Sequence, residues 1–387
     1  MEKQKINESK DGFQLRGKKW SYRFRVPDPT SGKTKEVRIS GFLTKAEAKS
    51  DRVKREAEVQ ERGFIKASKE TVEVFFSDWL ETKIAKGKIK LTTASQYRQA
   101  IFYYINPNIG KLHLKELTPE NLEQFLIRLI QGGKKNGSPL SQATVRLVAI
   151  VLSQGLDQAV RYKKLFSNPM SEVEKPKGKT KSVSTYSASE IRSLLSLAEN
   201  HRLYAFFHLA CHTGARRGEL LALRWSDFDT ESQTISISKT RGMIGKEIIE
   251  GDSTKTKNGN RKVEITPETV KSLKAHKARQ AVERLQIGSG WVETNYIFVQ
   301  ENGEPLYPTT PYLIFRKMIN KLGLRPEPFH SLRHSHATEL LRAGIPAFIV
   351  AKRIGDHPAT VLSTYAHAQT EDGHKSAKAF EEQIANA

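Results

Sequence analysis

A multidomain chain is predicted: a small β-sheet-plus-helix N-terminal unit, an all-α middle domain and a mixed α+β C-terminal domain. Three observations predict it. Residues 12–62 change from a two-residue alternation to a charged helical pattern, residues 70 to about 172 carry apolar side chains at helical spacing, and residues beyond 187 interleave helices with short β-like runs. At 387 residues the chain is long enough for two or three domains. The boundaries drawn are 1–66, 67–173, a linker at 174–186, and 187–387.

In the first unit, "KKWSYRFRV" alternates Trp20, Tyr22, Phe24 and Val26 with Lys19, Ser21, Arg23 and Arg25, the periodicity of a half-buried strand. "PDPTSGK" is a turn, "EVRIS" is a second strand with Val37 and Ile39 on one face, and Phe13–Arg16 is a third. Thr44 with Glu47 forms a capping box that opens a helix to about Gln60. A helix on the apolar face leaves the other face free, with Lys19, Arg23, Arg25 and Arg38 on it.

The middle domain reads as helices throughout. "VEVFFSDWLETKI" and "TTASQYRQAIFYYI" have helical spacing, Thr118 and Pro119 fit an N-cap and first helical position, and "SQATVRLVAIVLSQGLDQAVRYKKL" is one long helix or a broken pair. "EKPKGKTKSVSTYS" is a basic linker with Pro176 and Gly178. Ser187 with Glu190 caps the next helix, and "QTISISK", "RKVEITP" and "NYIFVQ" are expected strands of the final domain.

Charge indicates the class of partner. The chain carries 64 basic against 42 acidic residues, a net of +22, and a surplus that size favours a polyanion such as nucleic acid. Residues 1–66 hold 18 basic and 10 acidic groups, so +8 of it lies in the first unit, where a β-sheet can enter a DNA groove. Cys211 is the only cysteine, which excludes an intrachain disulfide and a cysteine-based zinc site. The polar "MEKQKINESKDG" lacks an apolar signal region, and no apolar run approaches the about 20 residues of a membrane span. A cytoplasmic protein with no membrane association is expected.

Three stretches of the last domain carry chemistry. "FFHLACHTG" is a buried helix ending at Gly214, and "ARRGELLALRW" starts the next, so Arg216 stands near a helix N-terminus. That place suits an anion, and an arginine there makes a phosphate site; a structural ion pair with Glu219 is the competing reading. "FHSLRHSHATELLRAG" puts His330 and Arg333 on one helix face. His330 and His334 have zinc spacing, but "HSLRH" lacks the glutamate of a hydrolytic zinc helix and Arg333 would repel a cation, so no metal is expected. "RIGDHPATVLSTYAHA" holds His357 and Tyr365, whose phenol needs strong local positive charge to act as a nucleophile.

Together these stretches resemble the tyrosine recombinases, in particular phage-type, lambda-like integrases. "TGARRGELLALRWSDFD" is similar to the family's first-arginine box, which implies Arg216 as the first catalytic arginine and Glu219 as its support. "TKTKNGNRKVEI" is similar to the β-hairpin lysine segment, with Lys255 as the lysine; "HSLRH" matches the His-x-x-Arg box with His330 and Arg333; "GDHPATVLSTYAH" matches the terminal box with His357 and the nucleophile Tyr365. Asp356 stands between the glycine and His357, so either fills the third-motif position.

The resemblance implies a site-specific recombinase that joins Tyr365 to a 3′-phosphate, with no metal, cofactor or ATP. Two arginines would neutralise the non-bridging oxygens, His330 would handle the phenol proton, Lys255 would protonate the leaving 5′-oxygen and His357 would donate to the phosphate. It further implies an arm-type DNA-binding unit, a helical SAM-like core-binding domain and a catalytic domain. The implied partner is double-stranded DNA at core and arm attachment sites, bound by a homotetramer in a bacterial host. A host bending protein or an excisionase would be an accessory partner, and the segment after Tyr365 would be a tail docking on a neighbouring protomer. The alternative is a catalytically inactive DNA-binding protein of the same fold, for which so full a set of charged and nucleophilic groups has no use.

Overall fold

The structure is a computed structural model, and it describes residues 7–8, 12–27, 34–62, 70–134, 136–176, 184–252, 259–365, 381 and 384. Lys255 and the tail beyond Tyr365, apart from two isolated positions, lie outside the described residues. The chain divides into two compact units, Met1–Lys179 and Thr180–Ala387.

The first unit begins with β1 (Asn7–Glu8), β2 (Phe13–Arg16), β3 (Lys19–Pro27) and β4 (Thr34–Phe42), an antiparallel sheet in that order, one strand more than expected. Helix α1 (Lys45–Arg62) opens on the expected box: Glu47 N–H donates to Thr44 Oγ1 at 3.2 Å, and Thr44 N–H to Glu47 Oε2 at 3.4 Å. Phe13, Tyr22, Phe24 and Ala48 form a small core, and the Tyr22 phenol donates to Asp51 on α1 at 2.6 Å. Tyr22 and Phe24 of the alternation read in β3 are therefore buried, and the half-buried Trp20 packs against them.

Helices α2 (Val72–Ala85), α3 (Leu91–Ala100), α4 (Asn106–Ile109), α5 (Pro119–Gly132) and α6 (Gln142–Arg161) follow, with a π-helical turn at Ile101–Ile105 between α3 and α4. Thr118 caps α5 ahead of Pro119, as the sequence indicates, and Ser141 caps α6, which is a single helix. Gly155 lets α6 approach α2: a Cβ there would lie 2.3 Å from the ring of Phe76. Phe76, Phe125, Leu122 and Leu152 centre this second core.

The second unit contains α7 (Ala188–Ala198), α8 (Tyr204–Thr213), α9 (Arg217–Ala222), β5 (Phe228–Asp229) and β6 (Thr234–Ile237). A hairpin of β7 (Lys239–Ile244) and β8 (Glu247–Asp252) comes next, then β9 (Arg261–Glu264), which completes an antiparallel sheet of order β5-β6-β9. Helices α10 (Pro267–Ile287), α11 (Thr310–Lys321), α12 (Ser331–Arg342), α13 (Ala347–Ile354) and α14 (Pro358–Tyr365) finish the unit. Ser187 and Glu190 form the expected box at α7.

"NYIFVQ" is not a strand. Ile297, Phe298 and Val299 are all buried, so no outer face exists, and the segment makes only isolated bridges; Ile297 N–H donates to Leu223 O at 2.9 Å. Phe206, Phe207, Phe298, Phe315 and Phe329 centre the main core. A smaller cluster of Ala337, Leu341, Val350, Ala351, Ile354 and Val361 carries Tyr365. Among the described residues no helix is long and apolar enough to cross a membrane.

Candidate active site

Helix ends build the site. Helix α8 terminates at Gly214 and α13 at Gly355, both left-handed with φ of 63° and 69°. Each termination leaves carbonyls pointing out of the helix at its negative end. The guanidinium of Arg333, from the first turn of α12, fills the space between them. Its Nη1 donates to Gly214 O at 2.9 Å and to Ile354 O at 2.6 Å, and its Nη2 to Asp356 Oδ2 at 2.8 Å. Arg333 is 2% exposed, so this is a buried cation oriented by two helix termini and one carboxylate.

Arg216 is the N-cap of α9, as the sequence indicates. Glu219 Oε2 accepts from its backbone N–H at 2.9 Å and Oε1 from Nη1 at 2.9 Å, so the competing structural ion pair is real. It does not exhaust the guanidinium. Nη2 reaches Gly355 O at 3.4 Å and Asp356 Oδ2 at 3.5 Å, and the side chain remains 37% exposed. Burial alone would raise the Glu219 carboxyl, but hydrogen bonds and charge from Arg261 and then Arg216 hold it below the ordinary glutamate range. Arg261, on β9, donates to Glu219 Oε2 at 2.9 Å and to Arg353 O at 2.9 Å. Sequence reading missed it, because an arginine in "NGNRKVEI" looks like a solvated strand residue.

Tyr365 ends α14 with its ring buried and its phenol oxygen 2.5 Å from Nδ1 of His334. The phenol's partner is therefore one turn along α12 from His330, the residue expected to handle its proton. His330 and His334 meet edge to face with centroids 4.6 Å apart. Burial first, then His334, Arg333 and Arg216, push His330 down to about 4, so it is neutral at pH 7. Burial pushes the Tyr365 phenol up to about 12, Arg333 and Arg216 pull against that, and Asp356 adds to it.

The structure thus brings together Arg216, Glu219, His330, Arg333 and Tyr365. At the third-motif position it is the Asp356 carboxylate that meets both arginines, while His357 is exposed and its Nδ1 accepts from Ala359 N–H at 3.3 Å, capping α14. On the sheet of the first unit, Lys19, Arg23 and Arg25 are exposed on one face. Arg38 is half-buried there and donates to Gln14 Oε1 at 2.6 Å and Ser21 Oγ at 3.0 Å, so part of its hydrogen-bonding capacity is structural.

Residues 184–372 match the Phage integrase family, residues 71–130 the phage integrase N-terminal SAM-like domain, and residues 13–51 an Arm DNA-binding domain. A relative from Caldanaerobacter subterraneus, "Tyrosine recombinase XerC-like", is 27% identical over 82% of this chain and 86% of its own. The ICEBs1 integrase of Bacillus subtilis is 26% identical over 72% of this chain and 75% of its own. Among solved structures, the Tn1549 transposon integrase in complex with transposon right end DNA has a TM-score of 0.65 at 20% identity, covering 81% of this chain and 99% of that one. A lambda integrase dimer bound to a COC′ core site has 0.55 at 19%, covering 93% of each. At such identities the structural likeness establishes the fold. The three matched domains in tandem, with relatives named as recombinases and integrases along most of their length, make the chain a member of the tyrosine recombinase family, of the phage integrase type.

Proposed function

We propose that this chain integrates and excises a mobile element by cutting and rejoining DNA through a 3′-phosphotyrosine at Tyr365. The observation that carries the reading is the convergence of Arg216, Arg333 and Tyr365 from α9, α12 and α14, with both guanidiniums acting electrostatically on the phenol. Attack by Tyr365 Oη on phosphorus places charge on the non-bridging oxygens. Arg216, with its partly open guanidinium, and Arg333, pre-oriented by carbonyls, supply permanent donors for it. His330 offers a neutral imidazole beside them. Lys255 would protonate the leaving 5′-oxygen, and His357 would reach the phosphate from the N-terminus of α14. The bond formed replaces the bond broken, so a 5′-hydroxyl from a second strand reverses the step without ATP.

In this reading residues 1–66 bind arm sites, 67–173 bind core sites and 187–387 catalyse, with Lys19, Arg23, Arg25 and Arg38 facing arm DNA. A homotetramer on DNA performs the exchange in the bacterial cytoplasm, with a bending protein or excisionase setting direction. The family relationship and the matched arm domain support this division. The test is strand exchange between two attachment-site duplexes in EDTA without nucleotide. Recombinant joints from the wild-type chain and none from Tyr365→Phe support it; none from either overturns it.

A further inference from the structure

We propose that His334 is a catalytic residue that accepts the Tyr365 phenol proton through Nδ1 as the tyrosine attacks DNA. The inference rests on the reading of Tyr365 as nucleophile and goes beyond His330 and Arg333, the two residues taken from "HSLRH".

Contact comes first. Among the described residues His334 is the phenol's only hydrogen-bond partner, at 2.5 Å from Nδ1 to Oη. A proton acceptor has to reach the proton it removes, and this distance is within that limit. The geometry is also fixed. α12 presents His334 and α14 presents Tyr365, and the two helices pack with α13 through Ala337, Leu341, Val350, Ile354 and Val361. His330 braces the imidazole edge-on from the same helix.

Acidity then makes an acceptor necessary. A phenol pushed up to about 12 is ionised in only roughly one molecule in 10⁵ at pH 7. The charged and titratable groups around the pair are His330 and Arg333 on α12, Arg216 at α9 and Asp356 before α14. Burial first, then Arg333, hold His334 below the ordinary histidine range, with Asp356 opposing. The ring is therefore neutral at pH 7, and a phenol that donates its hydrogen to Nδ1 requires the tautomer with the ring's hydrogen on Nε2.

The step balances. The phenol proton passes to the lone pair of Nδ1, leaving the O–H electron pair on Oη to form the Oη–P bond; the P–O5′ bond breaks with its electron pair on the oxygen, which leaves as a 5′-hydroxyl with a proton from a separate acid. In resealing, the 5′-hydroxyl attacks phosphorus, and the His334 imidazolium returns its proton to the departing phenolate.

Single-turnover cleavage of a nicked attachment-core duplex tests this, using full-length protein in EDTA. His334→Ala removes the acceptor. His334→Gln keeps a hydrogen-bond acceptor of similar reach that cannot take the proton. Both are expected to cleave about 10²- to 10⁴-fold more slowly at pH 7. The defect should shrink as pH rises, and shrink again when Tyr365→3-fluorotyrosine makes the phenol more acidic. Cleavage at the wild-type rate by either variant overturns the proposal, as does a defect indifferent to pH and phenol acidity, which marks a packing role. A wild-type protein that forms no adduct overturns the recombinase reading itself, so the two failures are distinct.

Discussion

Oδ2 of Asp356 lies 2.8 Å from Nη2 of Arg333 and 3.5 Å from Nη2 of Arg216, so one carboxylate oxygen stands between the two guanidiniums that would hold a DNA phosphate. An anionic ligand must compete with an anion already seated. Asp356→Asn keeps the shape and removes the charge. Without DNA it should lower stability by about 2 kcal/mol, the worth of a hydrogen bond to a charged group, read by urea unfolding. It should also tighten binding to a core half-site, read by titration at fixed salt. Weaker half-site binding by this variant would mean that Asp356 aids phosphate capture.

The two helix-terminating glycines are expected to be intolerant. Gly214 and Gly355 have positive φ, and an added Cβ would lie 2.8 Å from His336 Cδ2 at the first and 2.6 Å from Arg261 Nη1 at the second. Each alanine substitution therefore combines left-handed strain, roughly 1–2 kcal/mol, with a clash. Because Gly214 O and the neighbouring Ile354 O hold Arg333, cleavage should fall along with stability. Thermal melting and adduct formation by Gly214→Ala and Gly355→Ala check this; unchanged melting contradicts it.

Glu219 is 1% exposed and serves Arg216 and Arg261 at once. Removing it leaves two guanidiniums without their shared partner, and breaking a buried pair typically costs about 3–5 kcal/mol. Glu219→Ala should unfold at markedly lower urea. Glu219→Gln, which keeps acceptor geometry on one oxygen, should fall between it and the wild type.

Much of this fold was legible because it is written in local chemistry. The boxes at Thr44 and Ser187 and the pair Thr118–Pro119 marked helix starts, the alternation Trp20–Val26 marked a strand, and Gly214 marked a helix end. "NYIFVQ" misled because burial on every side and strand pairing look alike in a short apolar run. The hairpin β7–β8 went unread, although Gly245 at its turn, with φ of 61°, was the available signal. At the site, residue types were visible but their partners were not. Arg333 is held by backbone carbonyls, which no side-chain identity reveals, and His334 was weighed only as a metal ligand although its spacing from His330 placed it on the same face.

Stability should fall as the solution is acidified. Burial first, aided at His276, His330 and His336 by cationic neighbours, pushes His208, His276 and His330 down to about 4 and His336 to about 3. An unfolded chain protonates these groups near pH 6.5, so between about 6.5 and 4 it binds more protons than the folded one. The contribution of neutral burial is complete above pH 6.5 and is lost as pH falls toward those values. Urea midpoints measured from pH 7.5 to 4.5 should decline steadily below 6.5; a flat profile to pH 5 contradicts the burial of these histidines as neutral rings.

The most direct measurement is the site of the covalent bond. Protein is incubated with a nicked attachment-core duplex in EDTA, digested with protease and nuclease, and the nucleotide-bearing peptide is sequenced by mass spectrometry. A 3′-linked nucleotide is expected on Tyr365 and on no other residue. A bond to a different side chain, or tight DNA binding with no covalent peptide, would contradict it, the latter in favour of a binding protein of the same fold.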